Sequence, residues 1–293
     1  MKDAFSKFHP IVNLLYLMLM LGLTMFLQQP VCLGLSFLSA AIYSGYLCGK
    51  RTLRFFIFYL LPTSVMIMLV NPLVNHRGLT VLGYFPNGNP FTLESVLYGL
   101  LAAAILSGTI QWFFCFHQIM TTDKLVYLFG RLLPSLSLVI AMILRFVPRY
   151  QNQFKAVSEA QRQIGRGMTE KRLLVKMRNG IRILSIMLTW SMEHAVETAA
   201  SMKCRGYGLP GRTAYSLYRW RGQDTGLLIL IVLLGGMVCT GAIQGSFYWT
   251  CFPSIIYTEI NGYIIWYYIA YGILAFLPML IDVKEEWKWK SFS

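Results

Sequence analysis

Acidic residues are scarce in this chain. Twelve Asp and Glu stand against 26 Lys and Arg in 293 residues, a formal net charge of +14. The cysteines Cys32, Cys48, Cys115, Cys204, Cys239 and Cys251 are scattered, mostly within apolar runs. No CxxC or Cys/His spacing occurs, so neither a metal site nor a disulfide framework is indicated. His9, His76, His117 and His194 are equally dispersed, which argues against a zinc or histidine-based catalytic set. There is no P-loop, no GxSxG, no HExxH and no paired-aspartate signature of lipid-phosphate transferases. What the chain does have is apolar mass: 56% of it is hydrophobic, in long runs. That excludes a disordered chain and indicates a polytopic membrane protein. A basic excess suits nucleic acid, anionic lipid or an acidic protein, and its location decides among them.

Apolar runs predict membrane helices over Ile11–Leu27, Val31–Leu47, Phe55–Val70 (kinked at Pro62), Leu93 to about Phe116, Leu227–Gly241 and Gly262–Ile281. No small-x-small cleavage site follows the first run, so it reads as a retained span. A polar loop, Asn71–Pro90, precedes the fourth span, and Glu94 lies near that span's mouth. Leu132–Val147 is apolar but short, bracketed by Pro134, Arg145 and Pro148, and reads as a partly sunken or re-entrant helix. Most basic residues fall between Asp123 and Gly222, with nearly all the rest at the N-terminus, around Lys50 and in the tail. The positive-inside rule then places both termini and the central region in the cytoplasm. Because the basic residues flank spans and aromatic interleaving is sparse, no nucleic-acid partner is expected. The lipid bilayer is. The expected fold is an all-α polytopic membrane protein with about six transmembrane helices plus two long cytoplasmic helices. Three segments follow: 1–118 with four spans, 119–222 cytoplasmic, and 223–293 with two spans and a cytoplasmic tail.

The central segment holds the longest polar run, without proline from Pro148 to Pro210. It reads as two helices. The first runs from about Arg149 to Gly165-Arg166-Gly167, the second from about Glu170 to Cys204-Arg205-Gly206. Glycine just past a helix end takes the left-handed conformation that closes it, and arginine there suits the negative pole of the dipole. Two such ends suggest two docking points for two similar partners, although either one alone is compatible with ordinary capping. At 1.5 Å per residue the second helix is about 50 Å long. Leu184, Leu188, Ala195, Ala199 and Met202 recur on one face by threes and fours. That stripe either packs on the protein's own membrane part or stays open to a partner; Ala199, Ala200 and Ser201 would admit a close helix crossing. Glu193 and Glu197 share a face, but His194 is expected on another, so no metal set is completed and the glutamates are expected to pair with Arg or Lys.

Three stretches resemble the transmembrane T component of energy-coupling factor transporters, the CbiQ/EcfT-like family related to ABC transporters. They are Asn71-Pro-Leu-Val-Asn-His-Arg-Gly-Leu-Thr with Asn87-Gly-Asn-Pro and Leu93-Glu-Ser; Ser158-Glu-Ala-Gln161 running into Ile164-Gly-Arg-Gly167; and Glu193 to Tyr207, with Ser201-Met-Lys-Cys-Arg-Gly-Tyr-Gly208 and Gly211-Arg-Thr-Ala214. The family has two Ala-Arg-Gly/Ser motifs, each ending a cytoplasmic coupling helix; here Gly165 and Cys204 precede the arginines. The first motif is the looser, and Arg162 competes with Arg166 for its role. The resemblance implies that two cytoplasmic ABC ATPase subunits dock on these ends, with Arg166 and Arg205 each entering a groove on one of them. It further implies that a small substrate-binding membrane protein, the S component, packs on the coupling helices. ATP-driven closure of the ATPases would then topple the S component during uptake of a vitamin or metal ion. ATP would bind to the partner subunits, and this chain would hold no cofactor, in the plasma membrane of a prokaryote. The dissimilarity of the two motifs favours two different ATPases. The competing expectations are an ABC-importer permease that binds substrate itself, a membrane-embedded lipid-modifying enzyme relying on Glu193 and Glu197, and a pure scaffold.

Overall fold

Long apolar stretches fold as helices because lipid offers the backbone no hydrogen-bonding partner. The computed structural model describes residues 3–76, 78–84, 90–132, 134–167, 173–207, 209, 218–251, 256–258 and 262–290, and the side chains of these except 131–132, 134–137, 257 and 289–290. Lys2, Arg77, the loop at 87–89, the expected helix start at Glu170, and Gly208 with 211–214 lie outside them. The described residues form nine helices: α1 Pro10–Phe26, α2 Pro30–Cys48, α3 Lys50–Val74, α4 Leu93–Ile119, α5 Thr122–Leu132, α6 Pro134–Gln163, α7 Leu173–Cys204, α8 Gly222–Ile243 and α9 Gly262–Lys290. Two short antiparallel hairpins complete them, β1 Val81–Tyr84 with β2 Pro90–Thr92, and β3 Trp249–Thr250 with β4 Ile256–Tyr257. The protein is all-helical apart from these.

Helices α2, α3, α4, α8 and α9 are each long and apolar enough to cross a membrane. Helix α1 is equally apolar but has 17 residues, the lower end of a spanning length. Pro10 and Pro30 open α1 and α2, where a missing N–H costs nothing. In α3 a π-helical turn, Phe56–Leu60, lies immediately before Pro62. Proline removes one helical hydrogen bond and its ring crowds the preceding turn, and the widened turn takes up that crowding. The position expected to kink, Pro62, thus lies beside this π-helical turn.

The chain divides into two compact units, residues 1–125 with 218–293, and residues 126–217. The first and last segments expected from the sequence thus fall in one unit. In it, α4 packs against α1, α2 and α3, and α9 packs against α2 and α8. Polar side chains inside this bundle are satisfied across helices: Trp112 Nε1 donates to Ser36 Oγ (2.9 Å), Gln111 Nε2 to Ser44 Oγ (2.8 Å), and Tyr16 Oη to the Leu274 carbonyl (3.0 Å). At Gly99 an added Cβ would lie 3.0 Å from the Met68 carbonyl oxygen, so this small residue sets how closely α3 and α4 approach.

One end of the first unit is stitched together by charged groups. Asp282 on α9 accepts from the Ala4 and Phe5 N–H groups (2.8 and 2.9 Å). Asp224, in the first turn of α8, accepts from the N–H of His9 and of Arg221 (2.9 and 2.7 Å). Lys124 Nζ donates to the carbonyls of Ser6 and Ile119 (2.6 and 3.0 Å), and burial pushes its ammonium down to about 8. Tyr46 Oη donates to Glu286 (2.6 Å). The N-terminal segment, the α2–α3 junction, the end of α4, the start of α8 and the end of α9 therefore share one face of the bundle. The described basic residues of this unit lie along these segments, among them Lys7, Lys50, Arg51, Lys124, Arg221 and Lys284. At the opposite end of α4, Glu94 accepts from the N–H of Leu79 and Thr80 (3.3 and 3.1 Å) and pins the loop before β1.

Candidate functional site

The second unit carries the two helices singled out in the polar run. Helix α6 differs from expectation. Leu132 ends α5, and the rest of the apolar stretch, from Pro134 to Val147, is no separate element: it is continuous with the basic stretch in one helix of 30 residues running through Pro148. Pro148 costs one backbone hydrogen bond but does not end the helix, so the first long helix begins fifteen residues before Arg149. Helix α7 spans 32 residues, about 48 Å at 1.5 Å per residue.

Both ends close in the same way. Gly165 and Gly206 have φ of 75° and 80°, in the left-handed region that glycine enters without steric cost. Gly165 N–H donates to the Arg162 carbonyl (3.0 Å) and Arg166 N–H to the Gln161 carbonyl (2.9 Å). Gly206 N–H donates to the Lys203 carbonyl and Tyr207 N–H to the Met202 carbonyl, both at 3.0 Å. These paired bonds, one spanning three residues and one spanning five, define the Schellman closure of a helix.

The arginines, however, are not equivalent. In the second end Arg205 immediately precedes the closing glycine; in the first, Arg166 follows it. With Gly165 aligned on Gly206, Ile164 takes the place of Arg205, Arg162 that of Lys203 and Arg166 that of Tyr207. Gly167 lies outside the left-handed region and is not the closing residue, so the expectation that both helices close on an Arg-Gly pair holds only for Cys204-Arg205-Gly206. Arg162, Arg166, Cys204 and Arg205 are all exposed. Neither Arg166 nor Arg205 has an ion-pair partner among the described residues.

Helix α7 has two unlike faces. Asn179, Ile183 and Met187 are buried against the rest of the unit. On the other side Met177, Ile181, Leu184, Leu188, Met192, Ala195 and Ala199 form a continuous exposed stripe. Leu184, Leu188, Ala195 and Ala199 are thus uncovered within the unit, whereas Met202 is half-buried.

Three features were missed from the sequence. Asn179 donates to the Gly167 carbonyl (3.1 Å), tying the segment after the first cap to α7; a lone amide in an otherwise basic and apolar turn was its only signal. Tyr150, Trp190 and His194 form an aromatic cluster between α6 and α7: Tyr150 meets Trp190 edge-on and His194 stacks on Trp190, both with centroids 5.3 Å apart. The Arg149 guanidinium lies 5.9 Å above the Trp190 ring. His194 and Glu197 were expected on separate faces with the glutamates paired to Arg or Lys. Instead His194 Nδ1 meets Glu197 Oε2 at 3.2 Å, the contact that a spacing of three residues allows. No group of His, Cys, Asp or Glu suited to a metal forms among the described residues.

A family model described as CbiQ, cobalt transport protein, matches residues 2–215. The chain belongs to the CbiQ family. It is a multi-pass membrane protein of that bacterial family. Similar proteins carry the name energy-coupling factor transporter transmembrane protein EcfT. The Streptococcus equi one is 35% identical over 102 residues, 34% of this chain and 38% of its own length. The Listeria innocua one is 31% identical over 105 residues, 36% and 40% of the two chains. The Bacillus subtilis one is 24% identical over 179 residues, 58% and 68% of the two. The matched region therefore spans about two fifths of the length of the first two EcfT relatives.

Proposed function

We propose that this CbiQ-family chain is the transmembrane coupling subunit of an energy-coupling factor importer. It passes ATP-driven motion of two cytoplasmic ATPase subunits to a small membrane protein that binds the substrate. The observation that carries this reading is the pair of helix ends closed by Gly165 and Gly206, each presenting an exposed arginine without an ion-pair partner among the described residues. A closed helix end has a fixed direction, so an arginine on it meets a carboxylate groove with little further ordering. The ATPases dock at Gly165-Arg166-Gly167 and Cys204-Arg205-Gly206, with Arg162 sharing the first socket because the closing glycine there stands before Arg166. The different arginine positions favour two different ATPase chains. The exposed stripe of α7 through Leu184, Leu188, Ala195 and Ala199 receives the S component. The face of the bundle that gathers the N-terminal segment, Lys124, Asp224 and Asp282 is cytoplasmic, as the positive-inside rule requires. ATP is bound and hydrolysed by the partner chains, and substrate specificity, for a vitamin or a metal ion, resides in the S component.

The test is co-purification of the tagged protein from its native membrane, with ATP turnover assayed on the product. ATPase subunits and a small membrane protein are expected with the wild type. Recovery of the chain alone, or of an activity on lipid that needs no ATPase, would overturn the reading.

A further inference from the structure

Between α6 and α7 of the second unit lies a cavity of about 640 Å³, within the roughly 300–1,000 Å³ range of small-molecule sites. Leu138, Met142 and Phe146 form an apolar wall, and Arg145, Arg149 and Arg205 also line the cavity. The residues from α6 lie at 138, 142, 145, 146 and 149, the spacing of a single helix face. Along that face the wall passes from apolar to cationic.

The charges are unbalanced. Among the described residues Glu197 is the single carboxylate lining the cavity, and it is already engaged by His194 Nδ1 at 3.2 Å. None of the three arginines forms an ion pair among the described residues, and Arg149 is held over Trp190. His194 Nε2 is buried and has no hydrogen-bond partner among the described residues. Arg145 and Arg149 stand one helical turn apart on α6, and guanidinium is the side chain best matched to a phosphate. A free phosphate would use the cationic half alone. The adjoining apolar wall matches the chain of an amphiphile, and a basic pocket between helices of a membrane protein suits an anionic headgroup.

We propose that this cavity binds an anionic phospholipid. Its phosphate sits between Arg145 and Arg149 on α6, and the start of an acyl chain lies along Leu138, Met142 and Phe146. The lipid would fix α6 against α7 at the level of Arg205, so the set of the second helix end would depend on membrane composition. The site stands whether or not the coupling role does.

The experiment is native mass spectrometry of the delipidated full chain. It is titrated separately with dioleoylphosphatidylglycerol, dioleoylphosphatidylcholine and inorganic phosphate. One tightly retained phosphatidylglycerol per chain is expected, favoured over phosphatidylcholine by about tenfold or more. Arg145→Gln with Arg149→Gln should bring the two lipids to parity, while Arg145→Lys with Arg149→Lys should keep the preference, which separates loss of charge from loss of fold. Equal retention of both lipids by the wild type would overturn the proposal, as would an undiminished preference in the double Gln variant. Displacement of the lipid by millimolar inorganic phosphate would show a free-anion site instead. If the double Gln variant keeps its lipid but sheds its ATPases, the cavity belongs to an acidic protein partner and the proposal fails.

Discussion

Replacing Gly165 with alanine tests the first helix end in isolation. The backbone there has φ of 75°, and a Cβ built on it meets nothing within 4 Å, so the cost is conformational and not steric. An L-residue in the left-handed region costs about 1–2 kcal/mol. Reduced freedom of the unfolded chain offsets about 0.4–1 kcal/mol of that. The net cost of about 1 kcal/mol raises the population of the frayed end about fivefold. Hydrogen exchange reads this directly, because the Arg166 N–H is protected by its bond to the Gln161 carbonyl. Its exchange should quicken about fivefold, and asparagine, which tolerates this conformation better, should restore most of the protection. Gly206→Ala should act at the Tyr207 N–H and at least as strongly, since its Cβ would also lie 3.1 Å from Leu209 Cδ1. Unchanged exchange at Arg166 in Gly165→Ala would refute the shared closure of the two helices.

The other predictions concern single contacts. Arg205→Ala should weaken ATPase docking by about 2–5 kcal/mol and Lys203→Ala by clearly less, measured as retained ATPase on affinity resin; equal effects would argue against a specific arginine socket. Asn179→Ala leaves the Gly167 carbonyl without its donor and should lower stability by about 1–3 kcal/mol, seen as a lower Tm in detergent, with Asn179→Asp failing to restore it because a carboxylate cannot donate. Burial holds Lys124 at about 8 against an ordinary 10.5. Between those pH values the unfolded chain binds a proton that the folded chain has lost, so stability should rise with pH across that window, and Lys124→Met should remove the rise. Gly78→Ala should release the loop before β1, since its Cβ would lie 2.5 Å from Glu94 Oε2; proteolytic nicking of that loop should increase.

Five of the six expected spans were legible because each carries an apolar run long enough to cross a bilayer, and that signal survives changes in packing; α1, at 17 residues, is shorter than those five. Helix α6 was misread for a local reason. Pro148 looks like a boundary, yet one lost hydrogen bond is a small fraction of those in a 30-residue helix. The closing glycine of the first end was also hidden. Gly165-Arg166-Gly167 offers two glycines, and only the backbone shows that Gly165 takes the left-handed turn. The aromatic cluster of Tyr150, Trp190 and His194 joins residues forty apart in the chain, a pairing that periodicity within one helix does not reveal. The stripe on α7 was visible as a pattern, and its exposure within the unit needed the coordinates.

The central claim is that two helix ends are sockets for ATPases, and Cys204 offers the most direct test. It is a free, exposed thiol adjoining Arg205. With the other cysteines replaced by serine, a short photo-crosslinker on Cys204, and separately on cysteine introduced at Ile164, would be irradiated in native membranes. The account predicts an ATPase subunit captured from each position, with two different ATPases from the two. Capture from neither position, or of lipid and the chain itself alone, would contradict it.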